Sequence, residues 1–183
     1  MPCWEVWNAF DSEAFPVLKN LDITNCPNLR GDLPKHLPAL QTLHISNCEL
    51  LVSSVPMAPN LQELNILNNK TFNKFPFLVK DLRIEGRPMV EFMMEDITNI
   101  QPTSLQSLSL RDCSTTISFP GDRLPASLKT LNISGLKKLK FPVQHKHELL
   151  ESLAIINSSD SLKSLPLINF PNLINLAIED CEN

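Results

Sequence analysis

Residues 40–48 read LQTLHISNC, and the arrangement of apolar residues in this stretch recurs eight times along the 183-residue chain. In each copy a Leu or Val is followed three residues later by Leu, and two residues after that by Ile or Leu. The copies begin 22, 21, 18, 26, 23, 22 and 23 residues apart. Their first residues are Leu18, Leu40, Leu61, Val79, Leu105, Leu128, Leu150 and Leu173.

The alternation inside each copy predicts a β-strand. Leu43 and Ile45 flank His44, and alternate side chains of a strand point to opposite faces, so the two apolar residues face inward and His44 faces outward. One copy is too short to bury its apolar face alone, whereas stacked copies share a continuous core. A period of about 22 residues with this pattern is the signature of a leucine-rich repeat. We therefore predict an α/β-type solenoid, a leucine-rich repeat horseshoe with eight parallel strands on its concave side.

Proline-rich return segments connect the predicted strands. A proline lies two or three residues before the first apolar position of seven copies, and proline disfavours a helix at this point. We expect a mostly irregular or 3₁₀ convex side, with a helical turn or two only between Met89 and Ile100. Residues 1–183 are predicted to form a single leucine-rich repeat domain, in which residues 1–15 are an N-terminal edge segment. Trp4 and Trp7 in that segment are interpreted as an aromatic plug over the first coil, and alternatively as a partner-binding patch.

Four of the five cysteines occupy the same repeat position, three residues after the inward Ile or Leu. Equivalent positions of stacked coils form a ladder, so these thiols are predicted to be small buried residues in a reducing compartment. A disulfide framework or a zinc site is disfavoured, because no CxxC pair is present. The four residues are Cys26, Cys48, Cys113 and Cys181.

Composition and motifs argue against several functional classes. The formal net charge of −4 disfavours nucleic acid or an anionic membrane as the main partner. No apolar run approaches the roughly 20 residues of a membrane span, and the first fifteen residues lack the regions of a secretory signal. No phosphate-binding loop or hydrolase motif occurs, so we expect no enzyme activity, no catalytic residues and no cofactor. His145, His147 and Glu148 could ligate a metal, but a solvated turn is the favoured interpretation, and no metal is predicted.

The sequences of the repeats resemble those of one protein family. Residues 15–51, FPVLKNLDITNCPNLRGDLPKHLPALQTLHISNCELL, are similar to the leucine-rich repeat region of plant disease resistance proteins of the coiled-coil, nucleotide-binding (NB-ARC) class. CWEVW at 3–7 and PASLKTLNI at 125–133 are similar to the same class. The resemblance implies a cytoplasmic fragment of an intracellular immune receptor that lacks the nucleotide-binding switch. It implies protein partners: a pathogen effector, a guarded host protein or the nucleotide-binding domain of the same receptor.

Other repeat proteins remain as alternatives. The stretch from Leu29 to Pro34 is similar to a phrase of plant extracellular repeat receptors, but it occurs once here instead of in every copy. The substrate-binding repeats of ubiquitin-ligase adaptors also carry cysteines, but their convex segments are helical. A small hydrolase on a repeat scaffold is the least favoured alternative, since no catalytic motif supports it.

The outward positions of the strands are the predicted protein-binding face. Over five positions in each of eight copies they carry five basic and eight acidic residues, with no stripe of a single sign. Such a mixed surface suits protein recognition. His44, Asn65, Arg83 and Arg111 are the candidates for the centre of the contact. For Arg83 the alternative is an ion pair within the chain, because Asp81 and Glu85 flank it.

Overall fold

The computed structural model describes most of the predicted repeats. It covers residues 5–6, 15–51, 56–69, 78–86, 89–90, 97, 99, 102–111, 118–120, 124–136, 138–140, 146–158 and 165–181. Cys3, Trp4, Trp7, Cys113 and His145 lie outside the described residues, so the interpretations of the N-terminal aromatic pair and of the fifth-copy cysteine stay predictions.

Eight five-residue strands form one parallel sheet, as the repeat pattern predicts. Every neighbouring pair is parallel, with the inward Leu of one strand opposite the inward Leu of the next, so the order along the sheet follows the order along the chain. The strands are β1 (Asn20–Thr24), β2 (Thr42–Ser46), β3 (Glu63–Leu67), β4 (Asp81–Glu85), β5 (Ser107–Arg111), β7 (Thr130–Ser134), β9 (Ser152–Ile156) and β10 (Asn175–Glu179).

The described parts of the return segments contain little regular structure. Two three-residue strands, β6 (Ser118–Pro120) and β8 (Lys138–Lys140), pair in parallel in successive coils and were not predicted. A 3₁₀ helix covers Leu167–Asn169, and residues 89, 90, 97 and 99 are helical. The helical residues therefore lie in the longest interval between repeats, and the 3₁₀ helix lies in the return segment before β10. This agrees with the mostly irregular or 3₁₀ convex side that the prolines predict.

The inward residues form a continuous hydrophobic core along the solenoid. Leu64 and Ile66 of β3 are fully buried, and the corresponding residues of β2, β5 and β9 are at most 1% exposed. At the last strand the pattern changes: Leu176 is 44% exposed and Ile178 48% exposed, because no described strand pairs with the far edge of β10. The same side chain types are thus buried or exposed according to whether a further coil covers them.

The cysteine position is a hydrogen-bonding position as well as a buried one. The Cys48 thiol lies 3.2 Å from the carbonyl oxygen of Ser46 and 3.5 Å from that of Ile23 in the previous coil. Cys181 repeats this geometry with Glu179 and Ile155. Cys48 is completely buried, but Cys26 and Cys181 are only partly buried. The prediction of buried thiols is therefore correct for Cys48 and wrong for Cys26 and Cys181, which follow β1 and β10, the first and last strands of the described sheet.

Asn69 and Ser158 replace cysteine at this position with stronger hydrogen-bonding groups. The Asn69 amide nitrogen donates to the carbonyls of Ile45 and Leu67, each at 2.9 Å. Ser158 Oγ donates to Ile156 O at 2.7 Å and accepts from the backbone N–H of Leu136 at 3.1 Å. Buried backbone groups that leave the sheet ladder need such partners, so this polar column keeps adjacent coils in register.

Candidate protein-binding face

The outward residues at the centres of the strands form a continuous row across the sheet. Each is the register partner of the next, so neighbours are about 4.8 Å apart along the row. All but the first are partly buried, which places their side chains against one another on one surface. This middle outward row comprises Asp22, His44, Asn65, Arg83, Ser109, Asn132, Ala154 and Ala177.

Three of the four predicted contact residues are consecutive in the middle outward row. His44 on β2 pairs with Asn65 on β3, which pairs with Arg83 on β4. Arg111 lies at the end of β5, in the next outward row, where its register partner is Glu85. The sheet thus brings His44, Asn65 and Arg83 together directly and places Arg111 diagonally from Arg83. Their role in binding is not established by this arrangement and remains a prediction.

Hydrogen bonding differs among these candidates. Asn65 is held by a hydrogen bond from its Nδ2 to Glu63 Oε1 at 2.8 Å, along the same strand. Arg83 makes no such contact: its flanking acids Asp81 and Glu85 do not form the ion pair considered from the sequence. Its Nε is buried and has no hydrogen-bond partner among the atoms of the protein. The ion pair considered from the sequence is therefore absent, and Arg83 lies on the face without a charged contact.

A hollow of about 330 Å³ opens on the outward face between β4 and β9. Arg83 and Arg111 line one part of it, and Ala154 and Ile156 line the other. Two of the four predicted residues therefore share one concavity, whereas His44 and Asn65 lie outside its lining. The remaining lining residues are Ser109, Leu110, Asn132, Ile133 and Ser134.

A ladder of asparagines fixes the edge of this face after β1, β2 and β3. Asn47 Nδ2 donates to Asn25 Oδ1 at 2.9 Å, and Asn68 Nδ2 donates to Asn47 Oδ1 at 3.1 Å. All three have φ near +53°, the left-handed conformation that Asn and Gly adopt at low cost. Each backbone N–H also donates to the last strand residue of the next coil, as Asn47 does to Leu67 O at 3.0 Å. Glycines continue the positive φ at Gly86 and Gly135.

The ladder and the hollow were missed by the sequence analysis. The ladder could have been predicted from the sequence, since Asn, Asp or Gly directly follows the strand in every copy. The hollow has none, because its shape depends on the small Ala154 side chain lying beside longer ones on other strands.

The described part of the chain contains neither a metal-binding cluster nor a membrane-spanning helix. Within it, no group of three or more His, Cys, Asp and Glu residues is arranged to hold a metal ion. His147 instead stacks on Phe170 with ring centroids 5.6 Å apart. None of the helical segments described has the length and hydrophobicity that a bilayer span requires.

Comparison with known proteins identifies relatives of one kind. "Putative disease resistance protein At3g14460" of Arabidopsis thaliana is 31% identical over 128 residues, which cover 68% of this chain and 9% of that protein. "Putative disease resistance RPP13-like protein 1" of Arabidopsis thaliana is 30% identical over 161 residues, which cover 80% of this chain and 15% of that protein. This chain is a leucine-rich repeat homologue of plant disease resistance proteins.

The similarity covers most of this chain but only a small part of each relative. The leucine-rich repeat homologue spans less than a sixth of either Arabidopsis relative, while most of its own length is matched. No protein-family model matches the chain, and no solved structure matches it. The relatives therefore show the family, and the eight-stranded sheet shows the fold.

Proposed function

We propose that this chain is the protein-recognition region of a plant intracellular immune receptor, and that it binds protein through the outward face of its eight-stranded sheet. The observation that carries the proposal is the middle outward row, which presents His44, Asn65 and Arg83 side by side on one surface. A rigid parallel sheet with mixed polar side chains can order many weak contacts at once, as protein interfaces require.

The relatives support the immune role. Both are named as disease resistance proteins, and this chain aligns with a small part of each. We infer that the chain acts in the cytoplasm as the sensor part of a larger receptor or as a separate fragment of one. Its partners are then a pathogen effector, a guarded host protein or the receptor's own nucleotide-binding domain, and neither nucleic acid nor a membrane.

A binding role is favoured over catalysis by the chemistry of the face. In the middle outward row His44 has Asp22 and Asn65 as its register partners, with no hydroxyl or thiol at either neighbouring position. The centre of the row runs through an amide, a guanidinium, a hydroxyl and a second amide. The four central groups donate and accept hydrogen bonds but are not ordinary nucleophiles or general bases near pH 7, and His44 has no nucleophile beside it in the row. We therefore propose a non-enzymatic protein that needs no cofactor or metal.

The test is a binding screen with a matched pair of variants. The chain is co-expressed in leaf cells with individual pathogen effectors and host immune proteins, and association is read by split-luciferase complementation. Asn65→Arg places a long cation in the middle outward row. Thr103→Arg adds the same charge at an exposed turn in the return segment before β5 and serves as the control.

The proposal expects at least one partner whose signal is lost with Asn65→Arg and kept with Thr103→Arg. It is overturned if no protein associates, or if every associating protein binds the two variants equally well. Loss with Thr103→Arg alone would assign binding to the return segments instead.

A further inference from the structure

We propose that the hollow lined by Arg83 and Arg111 binds an acidic side chain of the protein partner, an Asp or Glu carboxylate presented next to a small apolar residue. This inference rests on the proposed function and specifies the chemistry that its binding face recognises. It assigns the two arginines a shared role in binding a carboxylate, which follows from neither the repeat pattern nor the relatives' names.

Arg83 has a hydrogen-bond donor that no protein atom satisfies. Its Nε is buried among protein atoms and has no hydrogen-bond partner, although a buried donor normally has one. Asp81 and Glu85, the nearest acids in sequence, do not pair with it. A partner oxygen entering the hollow could accept from this guanidinium, and arginine matches a carboxylate with two parallel N–H donors.

Arg111 supplies a second cation to the same hollow. Glu85 is its register partner on β4, yet the two form no ion pair among the described contacts. The described residues that line the hollow include two guanidiniums and no carboxylate, so the two arginines repel each other and attract an anion. Such charges are worth more in a hollow that a protein partner closes to water than on an open surface.

The rest of the lining determines the kind of anion. Ser109, Asn132 and Ser134 provide neutral hydrogen-bonding groups, whereas Ala154 and Ile156 provide an apolar wall. A volume of about 330 Å³ accommodates a carboxylate side chain with part of its neighbour. Mixed polar and apolar walls fit a peptide segment better than a nucleic acid backbone, and the chain's net charge of −4 opposes a polyanion as long as a nucleic acid.

The experiment uses two fluorescent peptides as probes, hexaglutamate and hexaglutamine, and measures binding to the whole chain by fluorescence anisotropy at low salt. The variants are Arg83→Gln, Arg111→Gln and Arg83→Lys. Lys35→Gln removes the same charge from an exposed position between β1 and β2 and is the control. A second pair is independent of charge: Ala154→Trp fills the hollow, and Ala126→Trp adds the same bulk at an exposed position.

The parent should bind hexaglutamate and not hexaglutamine. Loss of either arginine should weaken binding by about tenfold, as expected for one charge-assisted contact, and Lys35→Gln by less than about twofold. Arg83→Lys should fall between parent and Arg83→Gln, because it keeps the charge and loses the planar donors. Ala154→Trp should abolish binding and Ala126→Trp should not.

Several results would overturn the inference. Binding of hexaglutamine as tight as that of hexaglutamate would exclude carboxylate recognition. An equal loss with Lys35→Gln would indicate diffuse attraction. Fluorescent oligouridylate is measured in the same way as a third probe, and tighter binding of it than of hexaglutamate would indicate nucleic acid. If hexaglutamate fails to bind while Asn65→Arg still disrupts a protein partner, the carboxylate inference fails and the proposed function stands.

Discussion

The backbone N–H of Cys48 donates a 2.9 Å hydrogen bond to the side-chain oxygen of Asn69, which occupies the equivalent position in the next coil. Asn69 is 3% exposed, and its amide nitrogen is bonded to two carbonyls at the same time. One side chain therefore makes hydrogen bonds to three backbone groups, the N–H of Cys48 and the carbonyls of Ile45 and Leu67.

Replacing Asn69 should be among the most destabilising polar substitutions in the chain. Asn69→Leu leaves a buried N–H and two carbonyls without this partner, and an unsatisfied buried group costs about 1–3 kcal/mol. Asn69→Cys restores the residue type found in four other coils and should cost only about 1 kcal/mol. Urea denaturation of both variants measures the difference. Equal losses would mean that the hydrogen bonds of this position contribute little.

Asn47 combines a positive φ with two ladder hydrogen bonds, and a pair of variants separates the two effects. Asn47→Ala loses both, and the left-handed conformation alone costs about 1–2 kcal/mol for a residue with a Cβ. Asn47→Gly loses the hydrogen bonds but adopts the backbone conformation without strain. Alanine should therefore lower the free energy of unfolding more than glycine does. The reverse order, measured by urea denaturation, would show that backbone strain is unimportant here.

Thiol reactivity should follow the position of each cysteine in the stack. Burial raises the pKa of the Cys48 thiol and also blocks access to it. Because the thiolate is the reactive form, Cys48 should react with a maleimide far more slowly than the partly buried Cys26 and Cys181. Peptide-resolved mass spectrometry measures the three rates. Similar rates without denaturant, or rates that urea leaves unchanged, would contradict the stacked arrangement.

Equivalent leucines of an interior and a terminal strand should differ in their contribution to stability. Leu64→Ala removes a fully buried side chain and should cost about 2–5 kcal/mol through lost burial and the cavity left behind. Leu176 holds the same repeat position but is 44% exposed, so Leu176→Ala should cost about half as much or less. Urea denaturation at low protein concentration compares them. Equal costs would indicate that a second copy of the chain covers β10 in solution.

The strands were predictable because each depends on a local pattern that is repeated eight times. Leu43 and Ile45 predict inward side chains without any knowledge of their neighbours, and all eight strands are present. β6 and β8 carry no such signal, since their pairing depends on how successive return segments stack. The partial exposure of Leu176 depends on whether a further strand covers β10, which a pattern within one repeat does not encode.

The candidate site was predictable in position and not in its electrostatics. Alternation placed His44, Asn65 and Arg83 on the outward face, and the register makes them neighbours. Sequence proximity also suggested that Asp81 and Glu85 neutralise Arg83, and the structure shows no such pairs. Residues two apart on a strand share a face, but whether their charged ends meet depends on rotamers and on side chains of adjacent strands.

The most direct test of the binding face is the affinity for an identified protein partner, measured by calorimetry together with the melting temperature of each variant. Arg83→Ala and Arg111→Ala should each lose at least ~2 kcal/mol of binding free energy, as expected for central interface residues, with almost unchanged melting temperatures. Lys35→Ala and Lys146→Ala, at exposed positions in the return segments, should bind like the parent. If the two arginine variants bind like the parent while Lys35→Ala or Lys146→Ala abolishes binding, the sheet face is not the binding surface.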